Sequence, residues 1–135
     1  MTARPQFLFA SAHAGAYLSL RPLEATIGSE QIHYLASGTA ARLRVADGLA
    51  LLPGKYLEPE SDALDSLIHK SGIKAVVRGT SVLPEEPMCS NPEVLTALAA
   101  ERTGVPVIAV EDFPGNFRLE PNQRLDCLCV GEDSS

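Results

Sequence analysis

Apolar and polar positions along this chain fall into two kinds of short block. Residues 7–10, 31–36, 49–52, 73–77, 105–110 and 125–130 are compact apolar runs, each bounded by small or polar residues. Runs of this length and aliphatic content read as strands covered on both faces. Between them lie segments whose apolar residues recur at helical spacing. They are residues 16–27 with Leu18, Leu20, Leu23 and Ile27, residues 40–46 with Leu43, residues 62–70 with Leu64, Leu67 and Ile68, and residues 91–103 with Leu95, Leu98 and Ala99. The boundaries carry their own chemistry. Asn91-Pro92-Glu93 supplies a cap, a proline in the first turn and an acid facing the positive end of the helix dipole. Ser61 caps the helix before Gly72 stops it, and Gly28 and Gly104 end two others. Pro22 predicts a break within the first helix.

Strands alternating with helices must lie parallel, because each crossover returns the chain to the same end of the sheet. The pattern predicts one α/β domain over residues 1–135, ending in a polar tail at residues 132–135. Its expected form is a Rossmann-like, doubly wound, mainly parallel sheet in the order 3-2-1-4-5-6. In that order the direction of growth reverses between the first and fourth strands. The turns there open a crevice, and they contain Ser11, His13, Gly15, Gly79, Thr80 and Ser81.

Charge narrows the range of partners. A net charge of −6 and a pI near 5.0 leave no basic surface to neutralise a nucleic-acid backbone, so nucleic acid is not an expected partner. The opening run at residues 7–12 is too short for a secretory signal and is followed by His13. No segment approaches the ~20 apolar residues of a membrane span. Of the three cysteines, Cys127 and Cys129 alternate onto one side of the last strand. Free thiols in a reducing cytoplasm are the expectation.

Candidate chemistry gathers after the strands. Arg78-Gly79-Thr80-Ser81 offers backbone N–H groups and two hydroxyls, which suits a phosphate or a sugar hydroxyl but also suits an ordinary turn. Neither a phosphate-loop lysine nor a Gly-x-Gly-x-x-Gly fingerprint is present, and no cofactor is predicted. His13 could act as a general base, hydrogen-bond a ligand, or be a satisfied structural histidine. His33 and His69 read as structural or solvated, and no histidine has a second ligand at metal spacing. Glu111 and Asp112 end the fifth strand on opposite sides, so only one can face the cleft. A carboxylate there could act catalytically, pair with Arg118 or bind sugar hydroxyls, while Asp112 could instead cap the turn at residues 113–116. Asn116 and Arg118 lie in that loop as candidate ligand contacts. Cys89 has no partner motif for a nucleophile.

The order of elements resembles the N-terminal half of GT-B-type nucleotide-sugar enzymes, a group that includes glycosyltransferases and UDP-N-acetylglucosamine 2-epimerases. The residues carrying the likeness are the small-residue and histidine turn after strand one, Tyr34-Leu35-Ala36-Ser37-Gly38, Gly79-Thr80-Ser81, and the run from Gly104 to Val110. The resemblance implies an acceptor-side half, with His13, Thr80, Ser81, Glu111 and Asp112 facing a cleft that a second half closes. A sequence ending after strand six lacks that half. Three readings follow: a binding domain for a small polar or phosphorylated ligand, a transferase or isomerase subunit completed by a second Rossmann-like domain or subunit, and an interaction scaffold without a ligand.

Overall fold

The computed structural model describes residues 4–58, 61–80, 91–111 and 127–129, the last by backbone alone. The elements are β1 (Gln6–Ser11), α1 (Ala14–Ile27), β2 (Ile32–Ala36), α2 (Gly38–Ala46), α3 (Ala63–Ser71), β3 (Ile73–Arg78), α4 (Pro92–Thr103), β4 (Val107–Val110) and β5 (Cys127–Cys129). Short 3₁₀ turns at Ser29–Gln31 and Gly54–Leu57 join some of them. The strands are parallel and lie in the order β2-β1-β3-β4, with the three-residue β5 beside β4.

Alternation along the strands separates two cores. Leu8, Leu35, Val76 and Val107 pack with Leu64 and Ile68 of α3 and Leu95 of α4. Phe9, Tyr34 and Val77 pack on the opposite face with Tyr17 and Leu20 of α1 and Ala40 of α2. Helices thus cover both faces, the doubly wound arrangement of a Rossmann-like fold. β1 is the strand at which the chain changes direction, since β2 is added on one side of it and β3 and β4 on the other.

The expected six-strand order requires correction. Residues 49–52 form no strand. Leu51 packs against the core of α1 and α2, and Leu52 packs against the core of α3 and α4. The segment is apolar because it wraps around the outer edge of β2, held there by the Leu52 N–H donating to the Tyr34 carbonyl at 2.8 Å. The Ala50 carbonyl is taken by the Arg44 guanidinium instead of a neighbouring strand. With that strand removed, the remaining strands keep their expected sequence across the sheet.

The first helix also departs from expectation. It runs unbroken through Pro22, and its buried face is Ala16, Tyr17, Leu20 and Glu24. Leu18 is 60% exposed and Leu23 36% exposed, so two of the four expected anchors lie off the packed stripe. The α4 cap forms as read, with the Asn91 side chain accepting the Glu93 N–H at 2.8 Å.

Candidate functional site

The carboxyl ends of β1 and β3 meet because the Gly79 N–H donates to the Ala10 carbonyl at 2.9 Å, extending the ladder one step past the strands. The first turn of α1 then passes directly over Gly79. A Cβ at that position would lie 2.5 Å from the Ala16 Cβ and 2.8 Å from the Glu93 Oε2. Only a glycine admits this approach, and its need for one comes from contact.

Glu93 sits at the start of α4 and is fully buried. Its Oε2 accepts the Ala12 N–H at 3.2 Å, tying the turn after β1 to a helix 81 residues later. Its Oε1 lies 4.0 Å from the Arg78 guanidinium, whose Nε donates to the Gly79 carbonyl. Thr80 is buried, and its hydroxyl donates to the Val110 carbonyl at 3.4 Å, joining the end of β3 to the end of β4. Glu111 follows at once and is 5% exposed. Val107 faces the α3 and α4 core, so alternation places Glu111 on that same face.

The predicted residues separate accordingly. Ser11, His13, Gly15, Gly79 and Thr80 gather at the carboxyl edge around the β1 and β3 turns, with Glu111 at the end of β4. His13 is exposed and occupies the N-cap position of α1 without a side-chain cap bond. The Ser11 hydroxyl is buried and hydrogen-bonded to the Tyr34 hydroxyl at 2.7 Å, so it holds the turn from within. Gly15 lies in the first turn of α1, its carbonyl accepting from the Ser19 hydroxyl. Ser81, Asp112, Asn116 and Arg118 lie outside the described residues, as does Cys89. Away from the edge, His33 is half-buried with Nε2 3.2 Å from the Gln6 Oε1, and desolvation lowers its pKa from the ordinary 6.5. His69 is exposed. Among the described residues no group of three His, Cys, Asp or Glu side chains could hold a metal ion, and no helix is long and apolar enough to cross a membrane.

Sequence reading missed the polar network beneath Ser11. Tyr34 stacks under the Arg44 guanidinium, whose carbon lies 4.0 Å from the ring centroid. Arg44 makes a two-pronged pair with Glu24, each bond 2.8 Å, and both side chains are buried. Arg21 adds a third bond to Glu24 at 2.7 Å, while the Tyr17 hydroxyl donates to Asp47 at 2.6 Å. The signal was present as spacing: Glu24 falls four residues after buried Leu20, and Arg44 four after buried Ala40.

Burial alone would raise the Glu24 pKa, but hydrogen bonds from Arg44 and Arg21 outweigh it and hold the carboxyl below its ordinary 4.5. A carboxyl depressed in the folded state adds stability that is complete above its unfolded value and is lost as pH falls through the folded one. The free energy of unfolding is therefore expected to decline as pH drops below about 4.5, and Glu24→Gln is expected to flatten that slope. Urea titrations at stepped pH measure both; equal slopes in the two proteins would contradict the assignment. Tyr17 behaves in the opposite sense. Burial, then the bond to Asp47, push its hydroxyl up to about 12.

No family model matches the chain, and no curated protein matches it. Among solved structures, the chain is similar to L-threonine dehydrogenase from Phytophthora infestans at 14% identity and a TM-score of 0.49. The match covers 78% of this chain and 35% of that one, so the chain spans about a third of the length of the protein it resembles.

Proposed function

We propose that this domain binds a small polar ligand at the carboxyl edge of its sheet, in the crevice between the turns after β1 and β3. The observation that carries the reading is the change of direction at β1, with α1 on one face of the sheet and α4 on the other. Open α/β sheets take their ligands where the two crossovers part. His13, exposed on the β1 turn, is the group that would meet the ligand first, and Gly79 and Thr80 would form the floor. In the finer form of this proposal, the domain corresponds to the acceptor side of a GT-B-type enzyme, and a second Rossmann-like domain or subunit closes the crevice.

Saturation-transfer NMR tests the coarser form with a panel of inorganic phosphate, uridine mono- and diphosphate, glucose, glucose 6-phosphate and N-acetylglucosamine. Binding by one chemical class, weakened in His13→Ala, is the expected result. No binding by any compound, or binding unchanged in both His13→Ala and Thr80→Ala, would overturn the proposal.

A further inference from the structure

The acid side chains at the carboxyl edge restrict the kind of ligand it can take. Glu111 is 5% exposed, and among the described residues no donor reaches its Oε2. A buried carboxyl oxygen without a donor destabilises the protein by its full desolvation penalty, so it is an acceptor in want of a hydrogen-bond donor. Hydroxyl, amide and ammonium groups supply one. Ethers, esters and tertiary amides offer acceptors alone and do not. At the β1 turn the Ala12 N–H already donates to Glu93, an acid held inside the protein, so that donor is taken.

Resting on the reading that the ligand lies at this edge, we infer that the site takes donor-bearing compounds and that Glu111 receives their donor group. Glu111 then serves recognition at the expense of the unliganded fold, as an unsatisfied polar group at a binding site does. Two measurements test this. Fluorine NMR screening compares a fragment set of polyols, amides and amines with a matched set of their O- and N-methylated counterparts, which lack the donor. The donor-bearing set is expected to bind, with affinity falling about tenfold in Glu111→Ala, the loss of one hydrogen bond to a carboxyl group. Thermal unfolding without ligand is expected to give Glu111→Leu a melting temperature equal to or above that of the wild type.

Binding of the methylated set as strong as that of the donor-bearing set, or donor-bearing hits unaffected by Glu111→Ala, would overturn the inference while leaving a ligand site at the edge. Hits in neither set would overturn the inference together with the reading it rests on. A melting temperature several degrees lower in Glu111→Leu would show that the side chain is held by structural bonds, and would also overturn it.

Discussion

Arg44→Ala is expected to lower the free energy of unfolding by about 3 kcal/mol, read from urea denaturation at neutral pH. Removing one member of a buried ion pair leaves the other charged and dehydrated, typically at a cost of about 3–5 kcal/mol. The lower end applies because Arg21 still reaches Glu24 at 2.7 Å. Arg44 also caps the Ala50 carbonyl and covers the Tyr34 ring, so its loss loosens the turn after α2 as well. Against a typical total of about 5–15 kcal/mol, such a change removes a large share of the stability. Arg21→Ala makes the contrast. Its side chain is 32% exposed and its pair is partly solvated, so a loss near or below about 1 kcal/mol is expected. Replacing both buried partners, Arg44→Met with Glu24→Leu, is expected to recover most of the deficit, since no stranded charge remains. A double variant as unstable as Arg44→Ala would refute the account.

Gly79→Ala is the second large effect, expected to destabilise by about 2–3 kcal/mol. Carbon atoms in good contact sit ~3.5–4.0 Å apart, whereas the new methyl would stand 2.5 Å from the Ala16 Cβ. That Cβ is fixed to the helix backbone and cannot turn aside, so α1 must shift. The methyl would also crowd Glu93 at 2.8 Å and strain its bond to the Ala12 N–H. Ala16→Gly alone is expected to lose about 1 kcal/mol as a glycine inside a helix. Combined with Gly79→Ala it removes the contact with the Ala16 methyl and leaves the crowding of Glu93, so the two changes together are expected to cost less than their sum. Additive losses in a double-mutant cycle would place the strain elsewhere.

Much of this fold was legible in the chain because local chemistry and tertiary packing agree. The run around Val107 needed burial on both faces, and Asn91-Pro92-Glu93 states its helix start in three residues. Residues 49–52 misled because apolar character reports contact with the core without reporting its geometry. A segment folded over a sheet margin needs leucines as much as a strand does. Arg44 and Glu24 were passed over for a related reason: their helical spacing marks them as inward-facing, but a charged residue reads as solvent-facing until its distant partner is known, and these two are 20 residues apart. The candidate site divides in the same way. His13, Gly79 and Thr80 could be placed because each follows a strand. Glu93 read as a dipole-matching acid, and its reach to the Ala12 N–H depends on the packing of α4 beside β1.

The leucine-rich segment wrapped over β2 has a consequence for the protein's behaviour in concentrated solution. A border strand with bare amides invites a neighbouring molecule to add its own strand and seed indefinite growth. Here that border meets a segment of the same chain, whose amide is bonded to it and whose side chains lie on both sides of it. The wrap acts as a selvedge, finishing the sheet where it would otherwise be open to extension.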